Sequence, residues 1–467
     1  MPFEIPAELM VSVSGVRGRV GETMTPEVVV AFASAFGAFA REAAGGERAR
    51  VVLGRDSRPT GPMLARAAAA ALQSVGCDVI DIGLVPTPTA LFAVRHHRAH
   101  GAIVMSASHN PVEWNALKLA SAAGMFLDAE EGARMREYLT DRPLPFTAWD
   151  AIGDVVTDAD AAARHVDAVL GLPYLDTEAL RRRRFRVALD VVNGAGAVVL
   201  PRLLEALGCD VVGVHMEPHG RFERVAEPVA ENLGDLGRLV RETGADIGLA
   251  TDPDADRLSL VDNTGRAIGE DFTLALAAML VLRHRRGPVV TNLSTSRVVE
   301  DVALEADVPF VRTPVGEINV ARRMQAEGAV IGGEGNGGVI LPDLHLTRDS
   351  AVAAALVLQQ LLEAGEPLDR IVAGRRSYVI VKDKLPRGES ALERTYEILE
   401  TELGAPEVDR QDGLRLAWPD RLEWVHIRPS GTEPILRIIA EAPEAAAAQR
   451  LIGLARRALP AASAKAT

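Results

Sequence analysis

Three stretches of this chain repeat one plan, and that plan leaves few folds open. They are "RVVLGRDSRPTGPMLARAAAAALQSVGCDVIDIG" (50–83), "RVALDVVNGAGAVVLPRLLEALGCDVVGV" (186–214) and "GPVVTNLSTSRVVEDVALEADVPFVRTPVG" (287–316). Each runs from a β-branched strand through a loop into a helix and on to a second strand. Strand–helix–strand in this order implies parallel sheets covered by helices. A long-period repeat can also mean a solenoid, but units this far apart in the chain imply separate domains. After about residue 373 the pattern changes. "SYVIVKDKLP", "GLRLAWP" and "EWVHIRPSGTEPILRIIAEA" alternate like strands, with helical runs at 389–403 and 443–458. The expectation is an α/β protein of three related mixed-sheet domains and a smaller C-terminal α+β domain around a central cleft. Its divisions fall at 1–152, 153–257, 258–372 and 373–467. At 467 residues the chain is too long for a single core. The closing "PAASAKAT" is expected to be disordered.

Composition removes several partners. A net charge of −13 argues against a nucleic-acid partner, which would need a basic face. "RRRR" at 181–184 reads as a solvated segment before the strand "FRVALDVV". The apolar runs, "LALAAMLVL" among them, fall far short of the roughly 20 residues that span a bilayer. "MPFEIPAELM" is acidic where a secretory signal would be basic. Cys77 and Cys209 both sit in "GCDV" between a helix and a strand, so they read as small buried residues and not a disulfide. A reducing, cytoplasmic setting follows. The expected partner is a small molecule, with the chain a monomer or a homodimer.

Four loops carry chemistry. In "VMSASHNPVEWNALK" (104–118), Ser108 follows a strand, with His109 beside it and Lys118 further on. Such a serine can be phosphorylated or acylated, or it can simply belong to a turn. The GxSxG elbow of hydrolases is absent. In "DIGLATDPDADRLSLVD" a strand runs into Asp252, Asp254, Asp256 and then Arg257. Alternate residues of an extended chain share a side, so three carboxylates should converge. Like charges so close need a cation, and an all-oxygen set favours Mg²⁺ over zinc. An EF-hand is ruled out, because Arg257 and Asn263 stand where its Gly and Glu belong. An acidic turn facing water is the bland alternative.

The third loop, "VIGGEGNGGVILPD", surrounds Glu334 and Asn336 with glycines that let backbone approach a ligand, or form a plain hairpin. The fourth, "HIRPSGTEPILRI", sets Arg428, Ser430, Gly431, Thr432 and Arg437 around a turn. Small hydroxylated residues with free N–H groups make an anion nest, and arginine adds a fork for phosphate. It lacks the spacing of a nucleotide P-loop. A hydroxyl nucleophile, a divalent cation, a polyol-reading glutamate and a second phosphate grip together suggest phosphoryl transfer on a sugar phosphate.

The ordered motifs "SVSGVRGRVG", "GRDSRPTG", "PTPT", "SASHNP", "DPDADR", "GGEGNGG" and "RPSGTEP" resemble the α-D-phosphohexomutase superfamily along nearly the whole chain. The resemblance implies four domains and an active serine at Ser108, with Ser106 not the nucleophile. It implies Mg²⁺ held by Asp252, Asp254, Asp256 and an oxygen of phosphorylated Ser108. Arg17 and Arg257 should lie near the moving phosphoryl group. Glu334, with Asn336 in the same loop, should meet the sugar, and Arg428, Ser430, Gly431, Thr432 and Arg437 its idle phosphate. Many relatives read "GExSGH", whereas this chain has Asn336 and Gly338, so a proton-carrying histidine is missing and Lys118 or His109 inherits that task. The "ENGG"-like loop resembles the archaeal-type branch. The implied activity interconverts hexose 6-phosphate and hexose 1-phosphate through a hexose 1,6-bisphosphate, with glucosamine phosphate the first choice. Phosphomannomutase/phosphoglucomutase activity is the alternative. A non-catalytic sugar-phosphate-binding protein and a metal-dependent phosphatase are the rivals of another class. A hinge for the last domain is expected near 370–376.

Overall fold

In the computed structural model, which describes residues 3–386, 392–430 and 435–458, the first repeat lies inside a seven-stranded sheet. The strand order is Met10–Ser12, Gly15–Arg19, Trp114–Ser121, Gly101–Met105, Arg50–Arg55, Asp78–Leu84 and Val155–Thr157. Pairing is parallel from Gly101–Met105 outward to Val155–Thr157 and antiparallel on the other side. Every residue of Gly101–Met105 is buried, as a strand covered on both faces must be. The second sheet runs Leu258–Val261, Ile247–Thr251, Arg186–Asp190, Asp210–Val214. The third runs Phe310–Thr313, Val289–Asn292, Ile331–Glu334, Gly338–Ile340.

All three sheets therefore share a feature beyond the parallel repeat: an antiparallel hairpin. Gly101–Met105 pairs with Trp114–Ser121, Ile247–Thr251 with Leu258–Val261, and Ile331–Glu334 with Gly338–Ile340. The loops closing these hairpins are residues 106–113, 252–257 and 335–337. They are the three polar loops that stand out in the sequence, and they occupy one equivalent position. That position is the carboxyl end of a parallel strand, where α/β sheets bind ligands. The second hairpin straddles the division expected at 257/258.

The C-terminal domain is a five-stranded antiparallel sheet, ordered Val379–Pro386, Ile435–Ala442, Glu423–Pro429, Leu414–Trp418, Glu407–Asp409. Helices Leu392–Leu403 and Ala445–Ala458 send Leu399, Leu451 and Ile452 into its core beside Leu416 and Ile438. This core is separate from the others. By contrast, the second and third domains share one apolar cluster, joining Leu203 and Leu249 to Leu280 and Val357. The mixed-sheet, four-domain expectation is met.

Arg181, Arg182 and Arg183 close the helix Thr177–Arg183 and are exposed with Arg184, as a solvated cluster should be. Cys77 and Cys209 are free thiols, and burial pushes each up to about 12. Among the described residues no helix is long and apolar enough to cross a membrane. The tail "PAASAKAT" lies outside the described residues.

Candidate active site

Ser108 sits in a turn with φ +48°, a left-handed conformation that non-glycine residues adopt at a cost of about 1–3 kcal/mol. The turn is fastened from several sides. The Ser108 N–H donates to Ser106 Oγ at 3.0 Å, so the Ser106 hydroxyl is engaged as a brace. Arg58, fully buried, donates to the carbonyls of Ser108 (2.7 Å), Asn110 (2.7 Å) and Pro111 (2.6 Å). Its Nε meets Asp56 Oδ2 at 3.1 Å. Arg17 donates to Asn110 Oδ1 at 2.6 Å. Strand pairing sets Arg17 opposite Ala116, on the sheet face that also carries Lys118.

The Ser108 hydroxyl donates to Asp252 Oδ2 at 2.7 Å, across the boundary between the first two domains. Asp252, Asp254 and Asp256 are fully buried, and each offers a carboxylate oxygen within 4.8 Å of the others. Their convergence does not come from an extended chain, as the spacing suggested. Residues 252–257 form a turn closed by Ala255 N–H to Asp252 O (3.0 Å), with Ala255 at φ +51°. Burial and the neighbouring Asp256 and Asp254 carboxylates push Asp252 well above the usual range. Burial would do the same to Asp254. Lys118 Nζ, 2.6 Å away, and the Thr87 hydroxyl reverse it and hold Asp254 low. Lys118 in turn is penalised by burial but held above its ordinary value by Asp254 and Asp256, so it is an ammonium. Oδ1 of Asp254 and of Asp256 is buried without a protein hydrogen-bond partner. Unpartnered buried carboxylate oxygens in an all-oxygen set are the donors a hard cation such as Mg²⁺ takes, so the triplet fits that ion.

Glu334 is buried at the end of its strand. Burial would raise its carboxyl, yet Arg348, Asn292 and the Gly316 N–H hold it low. Asn292 Nδ2 and Gly316 N–H donate to Oε1 at 2.8 and 3.0 Å, and Arg348 Nη1 to Oε2 at 2.6 Å. Asn336 caps its own loop, taking the Gly338 N–H at 3.3 Å. Gly337 has φ +88°, and its carbonyl accepts from the Leu258 N–H, stitching this loop to the aspartate hairpin.

Asp271, at the start of the helix Asp271–His284, was not singled out in the sequence. Its Oδ1 accepts from the Ser296 N–H at 2.8 Å, and a Cβ on Gly335 would fall 2.2 Å from the same oxygen. Burial pushes its carboxyl up to about 8 from 3.8, so the folded chain holds it protonated at neutral pH. A carboxyl raised on folding stabilises fully below its unfolded value and loses that contribution as pH climbs through the folded one. Asp271→Asn keeps the acceptor and cannot ionise. The variant is expected to match wild type near pH 4 and exceed it above pH 7 by on the order of a few kcal/mol. Urea melts at both pH values check this; parallel pH profiles for the two proteins would refute it.

In the C-terminal domain, Arg428 Nε donates to Asp412 Oδ2 at 2.7 Å, and the Val315 N–H of the third domain donates to the same oxygen at 3.0 Å. His426, driven down to about 4 by burial, bridges Asp412 O (2.7 Å) and Ser294 Oγ (2.9 Å). Arg437 lies opposite Arg428 in the strand pair. Ser430 is anchored through its N–H to Ile435 O at 2.9 Å. Gly431 and Thr432 lie outside the described residues.

One cavity of about 640 Å³ gathers these parts. Ser108, His109, Lys118, Arg17 and Arg257 line it together with Glu334, Asn336, Arg428 and Arg437. The aspartate triplet sits just beneath, with Arg257 Nε 3.7 Å from Asp256 Oδ1. His109 is kept neutral by burial and by Arg257 and Arg17, and its Nδ1 has no protein partner. Such a pocket can hold a polar molecule with an anion at each end. It sets a hydroxyl, an ammonium and a free imidazole nitrogen beside one of those ends.

The comparisons agree on the family. Descriptions of phosphoglucomutase/phosphomannomutase match in sequence: alpha/beta/alpha domain I over residues 9–142, domain II over 163–265, domain III over 269–378 and the C-terminal domain over 378–456. A phosphoglucomutase/phosphomannomutase of Thermococcus kodakarensis is 39% identical over 92% of this chain and 93% of its own. A protein of Methanopyrus kandleri named "Probable phosphoglucosamine mutase" is 38% identical over 94% of this chain and 95% of its own. The crystal structure of a phosphoglucomutase/phosphomannomutase family protein from Burkholderia thailandensis superposes with a TM-score of 0.85. That protein is 28% identical, over 97% of this chain and 98% of its own. Fold and site together define a phosphosugar mutase, an isomerase. The chain belongs to the phosphoglucomutase/phosphomannomutase family, within the α-D-phosphohexomutase superfamily.

Proposed function

We propose that this protein interconverts hexose 6-phosphate and hexose 1-phosphate through a phosphoserine at Ser108, with glucosamine phosphate as the preferred substrate. The observation that carries this reading is the Ser108 hydroxyl, 2.7 Å from Asp252, in a cavity that Glu334, Arg428 and Arg437 also line. Phospho-Ser108 gives its phosphoryl group to a sugar hydroxyl. The Ser–O–P bond breaks, a sugar–O–P bond forms, and the product carries phosphate at both ends. His109 Nδ1 takes the proton of the attacking hydroxyl, and the Lys118 ammonium supplies one to the serine oxygen. Arg17 and Arg257 spread positive charge around the transferring group. Asp252, Asp254, Asp256 and an oxygen of phospho-Ser108 would hold Mg²⁺, which when bound supplies divalent charge to the phosphoryl oxygens.

The bisphosphate then turns end for end and returns its other phosphate to Ser108. Glu334 and Asn336 hold hydroxyls in either orientation, while Arg428, Ser430, Gly431, Thr432 and Arg437 grip whichever phosphate is idle. Turning needs room, so the last domain hinges at 370–376. The preference for glucosamine draws on wall chemistry. Asp128, Glu227 and Glu317 line the cavity, and a 2-ammonium group gains more from carboxylates than a 2-hydroxyl does. The name of the Methanopyrus relative favours the same sugar, and that of the Thermococcus relative the alternative glucose and mannose phosphates.

The test has two arms. The tryptic peptide bearing Ser108 should carry one phosphate in part of the purified protein, and hexose 1,6-bisphosphate should raise that fraction. Turnover of glucosamine, glucose and mannose 1-phosphates should release almost no inorganic phosphate, with the highest kcat/KM for glucosamine. An unphosphorylated peptide in a protein that turns over fully without bisphosphate ends the scheme.

A further inference from the structure

The guanidinium of Arg348 lies where the aspartate triplet and the sugar loop meet. Its Nη2 is 2.5 Å from Asp256 Oδ2, its Nη1 2.6 Å from Glu334 Oε2, and its Nε 3.1 Å from Glu317 Oε2. All four residues are buried. One rigid fork thus hydrogen-bonds two carboxylates, from the aspartate turn and the end of a strand, and faces a third at the start of the helix Glu317–Glu327, a geometry that lysine, with a single point charge, cannot copy. The side chain reaches this place only because position 338 has no Cβ. A methyl group there would sit 2.1 Å from Arg348 Cδ and 2.8 Å from Cγ. The arginine cannot step aside cheaply, because its head is hydrogen-bonded to Glu334 and Asp256 and lies against Glu317. Where "GExSGH" relatives have histidine, Gly338 leaves the space through which the Arg348 side chain passes.

We propose that Arg348 is the positioning residue of this site, coupling the orientation of Asp256 to that of Glu334, and that Gly338 is glycine to admit it. By fixing Asp256 Oδ2, Arg348 turns the unpartnered Oδ1 toward the triplet. By fixing Glu334 Oε2, it leaves the carboxylate oriented by Asn292 and Gly316 toward the cavity. Metal affinity and sugar affinity therefore depend on one side chain that need touch neither ligand. The inference rests on the metal and sugar sites proposed above.

The sign of the change separates positioning from plain charge. An arginine acting only as a nearby positive charge repels a cation, so its removal would tighten Mn²⁺ binding. A positioning arginine does the opposite. Mn²⁺ titrated into Arg348→Met and Arg348→Lys, read by the electron paramagnetic resonance of free ion, is expected to bind about tenfold more weakly than to wild type, the scale on which residues behind metal ligands act. KM for glucosamine 1-phosphate should rise about as much, and lysine should not rescue either value. Gly338→Ala, which keeps the arginine and displaces it, should reproduce both changes, and it decides the matter if the arginine variants do not fold. Tighter Mn²⁺ binding in Arg348→Met, full rescue by lysine, or unchanged binding in Gly338→Ala overturns the proposal. If wild type itself binds no Mn²⁺ that Asp254→Asn abolishes, or turns over none of the three hexose 1-phosphates, the functional reading fails instead.

Discussion

Ser108→Ala is expected to lower phosphohexomutase turnover by on the order of 10⁴- to 10⁶-fold, the scale on which loss of a covalent nucleophile is felt. Ser106 cannot stand in, because its hydroxyl is fully buried and accepts the N–H of residue 108. The His109 ring nitrogen could accept a phosphoryl group in principle, but it is the Ser108 hydroxyl that is held against Asp252. The variant should stay folded. The side chain removed is small and lies at the cavity wall, and its loss frees Asp252, which burial already inclines to take a proton. Backbone strain supplies a second variant that separates chemistry from shape. At φ +48° alanine inherits the strain of serine, whereas glycine relieves it. Ser108→Gly should therefore be as inactive as Ser108→Ala while melting at an equal or higher temperature. Residual turnover above about 1% of wild type in either variant would mean that phosphate travels by another route.

The fold was legible where the sequence repeats and obscure where it does not. A β-branched run, a loop, a helix and another run state their pairing through local periodicity, so the parallel strands could be drawn from residues alone. The hairpin of each sheet carries no such mark. "WNALKLAS" (114–121) is buried at six of its eight positions and lacks the strict alternation of an edge strand, because it lies between two other strands. The loops with chemistry were legible because polar groups crowd at strand ends with no turn that requires them. The residues that aim those loops were not. Arg58 reaches across 50 positions to the Ser108 carbonyl, Thr87 across 167 to Asp254, and Arg348 across 92 to Asp256. Sequence spacing holds no trace of contacts made only after a domain has folded, as for Arg58, or after domains have packed, as for Thr87. The aspartate triplet marks the boundary between the two cases. Its residues were found by their spacing, but the geometry invoked for them was an extended chain. The turn at Ala255 achieves the convergence instead.

Arg58→Met tests whether the serine turn is held from outside the site. Arg58 and Asp56 are both fully buried, and the ion pair between them is accompanied by three donations to loop carbonyls. Methionine fills much of the volume but leaves Asp56 without its cation and three carbonyls without donors. Breaking a buried pair by removing one partner costs about 3–5 kcal/mol, because the remaining charge stays desolvated. Burial already raises the Asp56 carboxyl with Arg58 present, so in the variant it should bind a proton and recover part of that loss. Adding Asp56→Asn to make the double variant removes the charge altogether. Stability by urea denaturation should then recover the part owed to the uncompensated charge, the three carbonyls still lacking donors. Activity should not return. The carbonyls of Ser108, Asn110 and Pro111 remain without the fork that fixes the turn, and a nucleophile displaced by about 1 Å loses on the order of 10²-fold. Stability partly restored with kcat/KM still fully depressed is thus the expected signature of an arginine that positions Ser108. Parallel recovery of both would make Arg58 only a neutraliser of Asp56, and the turn would owe its shape to Ser106 and Arg17.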